Sequence, residues 1–142
     1  MGTEIGLIIA THGHFAGSLV HTAEMILGRE TSLQAFEFPE HETANVSAKK
    51  LKSLIEKSDR GRGVIILSDL FGGTPGSLAL SMLEEEAVEV ISGVNLPMAI
   101  AAATLEPELD LSAASQSLML TGRDGIKKAG SILKGKSPQG PE

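Results

Sequence analysis

The chain has 142 residues, 42% hydrophobic and 21% charged, with a formal net charge of −6 and no cysteine. That length holds one ordinary domain with a full core, and the lack of cysteine excludes disulfides, thiolate chemistry and Cys-based zinc sites. The acidic balance argues against nonspecific nucleic-acid binding, which needs Lys and Arg against phosphates, and no apolar run approaches the roughly 20 residues of a membrane helix. With four Phe and no Trp or Tyr, a stacking platform for a base or flavin would have to be assembled from Phe15, Phe36, Phe38 and Phe71.

The chain enters its first strand almost at once, without a basic leader, so the expected compartment is the cytoplasm. That strand is the apolar run from Gly6 to Ala10, ending in Thr11-His12-Gly13. Such a run suits a strand buried on both faces of a parallel sheet, and it delivers His12 to the carboxyl edge, where open α/β sheets bind ligands. Phe15 to Leu27 reads as a helix with Leu19, Ala23, Ile26 and Leu27 on its buried face and Gly28 as its stop. Leu33 to Phe38 is a short strand ended by Pro39. Residues 42–57 form a surface helix with Ala44, Ala48, Leu51, Leu54 and Ile55 inward.

A turn through Gly61 and Gly63 leads to a second fully apolar strand, Val64 to Ser68, ending at Asp69. Thr74-Pro75 has the pattern of an N-cap followed by proline at the first helical position, and predicts a helix to about Leu83. Residues 87–92 are a fourth strand, followed by a Gly93 loop and a helix from Met98 to Leu105. A helix over 111–121 is broken by Gly122-Arg-Asp-Gly125. Ile126 to Leu133 fits a short strand or a helical turn, and residues 135–142 have the composition of a flexible tail. The β-α alternation predicts an α/β fold, an open doubly wound, mostly parallel sheet with helices on both faces, in a single domain over 1–134.

If the strands ending at His12 and Asp69 are neighbours, the imidazole meets a carboxylate. A neutral imidazole can attack phosphorus or take a proton through one nitrogen while a carboxylate holds the other N–H. On its own, Asp69 reads equally well as a turn-capping residue. The following Gly72-Gly73-Thr74-Pro75 opens a helix and can close backbone N–H groups around an anion. Thr11 and Thr74 offer hydroxyls to a phosphate or to a cap.

Four blocks in this order resemble one family: Thr11-His12-Gly13, Ala23-Glu-Met-Ile-Leu-Gly28, Asp69-Leu-Phe-Gly-Gly-Thr-Pro75 and Gly93-Val-Asn-Leu-Pro-Met98. They are similar to the IIA component of mannose-type (mannose/fructose/sorbose) sugar phosphotransferase systems. The resemblance implies a phosphotransferase without a cofactor or metal, in which His12 accepts a phosphoryl group from the phosphocarrier HPr and passes it to the IIB component. It implies that Asp69 orients His12 and that Gly72, Gly73, Thr74 and Thr11 receive the phosphate. The sheet order would be 2-1-3-4, completed by a short antiparallel edge strand after Gly125 that is exchanged within a homodimer. His14, Phe15, Met25, Phe71, Asn95 and Pro97 are candidate partner contacts, and the membrane is reached only through the permease components. A mannose-type member of the family has a tryptophan where this chain has His14, which leaves the sugar and the downstream acceptor open but not the chemistry.

Other classes compete for the same residues. His12, His14 and Asp69 have the types and spacing of a metal hydrolase site, while His21 and His41 read as surface residues. A flavin or nucleotide module would share the architecture but lacks G-x-G-x-x-G after the first strand. A histidine phosphatase would need arginine where Thr11 stands. The phosphotransferase subunit of dihydroxyacetone kinases resembles this domain as well and would share the chemistry.

Overall fold

The computed structural model describes residues 4–84 and 87–135. In chain order the elements are β1 (Gly6–His12), α1 (Phe15–Leu27), β2 (Gln34–Phe38), α2 (Ala44–Ser58), β3 (Val64–Ser68), α3 (Gly73–Ser81), β4 (Val88–Ser92), α4 (Leu96–Ala103), α5 (Leu111–Asp124) and α6 (Ala129–Leu133). The strands form one sheet in the order β2-β1-β3-β4, and every pairing is parallel. His12 lies beside Phe38, and Ala10 beside Ser68. All four carboxyl ends therefore share one edge.

Side chains alternate across the sheet because the strand period is two, and each face has its own core. Leu7, Ile9, Ile65, Leu67 and Ile91 pack with residues of α1, α4 and α5 on one face. Ile8, Ala10, Val64, Ile66 and Val88 pack with residues of α2 and α3 on the other. β1 sends its helix to one face and β3 sends its helix to the other. The crevice between those departures is the topological switch point, with His12 and Asp69 on its rim.

Several element ends differ from the sequence reading, each for a local reason. Helix α3 starts at Gly73 with Gly72 as its N-cap, not at Thr74-Pro75. Pro75 falls at the third helical position, where the missing N–H would have had no intrahelical acceptor. Helix α5 runs through Gly122 to Asp124 because Gly122 is a packing glycine: a Cβ there would lie 2.5 Å from Met98 Cε. Ile26 is exposed, and the buried residues of α1 are Ala16, Leu19 and Ala23. After Gly125 the described chain forms α6, and no antiparallel edge strand appears among the described residues. Of the expected tail, residues 136–142 lie outside the described residues.

Candidate functional site

At the end of β1 the backbone of His12 is pinned on both sides. Its N–H donates to Asp69 Oδ2 at 3.0 Å, and its carbonyl accepts from the Thr11 hydroxyl at 3.1 Å. The ring is fixed by the same carboxylate, with Nδ1 2.9 Å from Asp69 Oδ2. Burial raises the Asp69 pKa, but hydrogen bonds from the His12 ring and backbone and from the Leu70 N–H together hold it below the ordinary value. Asp69 is thus a carboxylate, an acceptor only, and Nδ1 must carry the proton. The lone pair is left on Nε2.

Nε2 faces the start of α3. A Cβ on Gly73 would lie 3.5 Å from it, and Gly73 adopts φ +77, a conformation that disfavours a side chain. The amides of Gly73 and Thr74 open the helix, where backbone N–H groups have no intrahelical acceptor. The neighbouring helix contrasts with this. In α1 the Ala16 N–H donates to Thr11 Oγ1 at 2.7 Å and the Gly17 N–H to Glu37 Oε2 at 3.1 Å. These two first-turn amides of α1 are thus engaged within the chain, and it is the start of α3 that Nε2 faces.

The cleft beside His12 has a volume of about 410 Å³ and runs between the ends of β1 and β2 and the starts of α2 and α3. Phe38, Pro39, Glu40, Glu42, Ser47 and Thr74 line it, and no Lys or Arg is among its lining residues. Glu42 is braced by the Ser47 hydroxyl at 2.8 Å and by Lys50, whose hydrogen bonds lower its pKa. Two further clefts, about 250 Å³ each, lie at the opposite edge around Glu4, Ile5 and Ser32 and contain none of these residues.

The remaining candidates divide by position. Phe71 and Leu70 on the β3–α3 loop are 71% and 58% exposed, and Phe15 at the start of α1 is 45% exposed. Met25 is also exposed, but it sits ten residues beyond Phe15 on α1, about 15 Å by helical rise. Asn95 is spent on structure: its Oδ1 accepts the Met98 N–H at 3.1 Å and its Nδ2 donates to the Gly122 carbonyl at 2.8 Å. Pro97 packs against Gly125, where a Cβ would lie 2.6 Å from Pro97 Cγ. The Thr11 hydroxyl is fully buried, with both of its hydrogen bonds made inside the chain.

His14 turns away from His12. Its Nδ1 lies 3.0 Å from Glu37 Oε1, and no group of three His, Cys, Asp or Glu residues is arranged to hold a metal among the described residues. The hydrolase constellation of His12, His14 and Asp69 does not assemble. Phe36 and Phe38 pack edge to face with each other, centroids 4.9 Å apart, in the core. They offer no flat platform to a flavin.

Sequence reasoning missed Glu37, Gly17 and Gly76. Glu37 stands one residue before the end of β2, so the carboxyl-edge rule applied to every strand would have flagged it. Gly76 had no signal. A Cβ on it would lie 2.6 Å from the Leu70 carbonyl oxygen and 3.0 Å from Phe71 backbone atoms, so its bareness lets the β3–α3 loop fold back over α3.

Residues 6–119 match the family described as the PTS system fructose IIA component. The PTS system mannose-specific EIIAB component of Escherichia coli strain K12 is 35% identical over 127 residues, 87% of this chain and 39% of that protein. The PTS system fructose-specific EIIA component of Bacillus subtilis is 32% identical over 108 residues, 75% of this chain and 74% of the relative. Among solved structures, EIIA from Streptococcus agalactiae superposes with a TM-score of 0.80 at 21% identity, covering 90% of this chain and 99% of that one. These matches place the chain among the IIA components of PTS systems. Within that class it belongs to the mannose-type IIA family. It spans about 39% of the length of the E. coli relative, and no described helix is long and apolar enough to cross a membrane.

Proposed function

We propose that His12 is the phosphoryl carrier of this IIA protein, charged by phospho-HPr and discharged to a IIB component in the cytoplasm. The observation that carries the reading is the ring itself: Nδ1 is held 2.9 Å from an ionised Asp69, and Nε2 faces the amides that open α3. The Nε2 lone pair attacks phosphorus, the bond from phosphorus to the donor breaks, and its electron pair leaves with the donor. The ring, now bonded to phosphorus at Nε2 and still protonated at Nδ1, is cationic, and Asp69 offsets that charge. The phosphoryl transition state is loose, so holding the three equatorial oxygens is most of what the protein must supply. Here backbone amides of α3 supply it, with the Thr74 hydroxyl beside them.

Phe15, Leu70 and Phe71, exposed close in sequence to His12 and Asp69, offer an apolar surface that fits a transient protein contact. A homodimer built through the segment after Gly125 completes the reading, since α6 buries no residue in the single chain.

Incubation with phosphoenolpyruvate, enzyme I and HPr should place one phosphoryl group on each chain, labile to acid and stable to base. His12→Ala is expected to abolish it and His14→Ala only to weaken transfer. Full phosphorylation of the His12→Ala protein would refute the assignment, and onward transfer to IIB tests the second half.

A further inference from the structure

We infer that Glu37 is a positioning residue for His12, a brace from the neighbouring strand that holds the first turn of α1 and with it the loop that carries the phosphoryl acceptor. The inference rests on the assignment of His12 made above. Thr11 and Glu37 face each other across β1 and β2, and each takes one N–H from the first turn of α1, Ala16 by Thr11 and Gly17 by Glu37. The other oxygen of Glu37 holds the His14 ring at 3.0 Å. The His14 carbonyl in turn accepts the Ser18 N–H at 3.1 Å. Residues 11–18 are thereby closed into a ring tied to two strands, and His12 lies inside it with both of its backbone polar groups engaged.

Two observations make this more than a surface contact. A Cβ on Gly17 would lie 2.6 Å from Glu37 Oε2, so the carboxylate takes its present place at the helix beside a bare residue 17 and would have to shift for a side chain there. The same carboxylate fills the N-terminus of α1 with negative charge. The hydrogen bond from His14, against a smaller desolvation cost, keeps Glu37 below the usual carboxylate range, so the brace is charged at neutral pH.

The test is phosphotransfer from phospho-HPr at several HPr concentrations in wild type, Glu37→Ala, Glu37→Gln and Gly17→Ala. Glutamine can accept the Gly17 N–H through its oxygen and, once His14 moves its proton to Nε2, donate to His14 Nδ1 through its nitrogen, whereas alanine can do neither. A loosened acceptor loop should lower the maximal rate of Glu37→Ala by roughly ten- to a hundred-fold while KM for HPr changes little, since small misplacements of reacting groups cost this much. Glu37→Gln should recover most of the rate, and Gly17→Ala should resemble Glu37→Ala. In hydrogen exchange the Gly17 and His12 amides should lose protection in Glu37→Ala. A wild-type rate in Glu37→Ala would overturn the inference, as would a Glu37→Gln protein impaired equally or a loss confined to KM. If wild type accepts no phosphoryl group, the function assigned to His12 fails, and unchanged amide protection would separately remove the brace.

Discussion

Asp69 receives three hydrogens on two oxygens: Oδ2 takes the His12 N–H and Nδ1–H, and Oδ1 takes the Leu70 N–H at 3.0 Å. Asparagine has one acceptor and one donor at those places, so either orientation sets two donors against each other. Asp69→Asn should lose a charged hydrogen bond worth about 1.5–3 kcal/mol, which is roughly ten- to a hundred-fold in transfer rate. Its far-ultraviolet circular dichroism should stay that of wild type, and an unchanged rate would remove Asp69 from the mechanism. The lowered pKa of Asp69 has a signed consequence for stability. Below its unfolded value the unfolded chain binds the proton more readily than the folded one, so folding stability rises with pH there. The contribution is full well above an unfolded value of about 3.9 and is lost as the pH falls through the folded one. Urea midpoints measured downward from neutral pH should therefore fall more steeply for wild type than for Asp69→Asn, the two curves converging in acid.

Element by element, the strands were the most legible part of the chain, because a strand buried on both faces leaves a continuous apolar run bounded by glycine. Gly6 to Ala10 and Val64 to Ser68 are such runs, and their partnership brought His12 to Asp69 as expected. Helix starts were less legible. Thr74-Pro75 has the local chemistry of a cap, but the geometry of the β3–α3 loop decided instead, and that geometry depends on Gly76. Alanine at Gly76 gains helix propensity of about 1 kcal/mol, yet its Cβ would lie 2.6 Å from the Leu70 carbonyl oxygen. Overpacking against backbone costs typically 1–3 kcal/mol, and the loop bearing Phe71, Gly72 and Gly73 must move to relieve it. Gly76→Ala should then impair phosphotransfer more than it lowers the melting temperature, and normal transfer would show that the loop tolerates the shift. Asn95 illustrates what pattern alone cannot separate. A polar residue in a glycine-proline loop reads as a contact for partners, whereas its side chain caps α4 and ties it to α5. Asn95→Ala loses a cap of about 1 kcal/mol and a hydrogen bond of similar worth, so its urea midpoint should fall measurably. Glu37 was legible only as a residue at a strand's carboxyl end; its role was not, because its partners lie 20 and 23 positions away in the chain and only strand register brings them together.

For the molecule as a whole, both faces of the sheet are covered by helices, and the last described segment stands apart from that order. Helix α6 buries nothing, yet Ile126, Ile132 and Leu133 are 77%, 43% and 86% exposed. Fully burying each such side chain is worth about 1.5–3 kcal/mol, a gain the single chain forgoes. A second copy can supply that burial, and the family resemblance implies an exchanged edge element in this segment, where the single chain has a helix. Sedimentation velocity should give twice the chain mass at micromolar concentration. Replacing Ile132 and Leu133 together by glutamate should shift the population to single chains, because burying two unpaired carboxylates per chain costs more than the contact returns. Wild-type protein sedimenting as one chain at tens of micromolar would remove the dimer, and a doubly substituted protein that still dimerises would move the interface to another face.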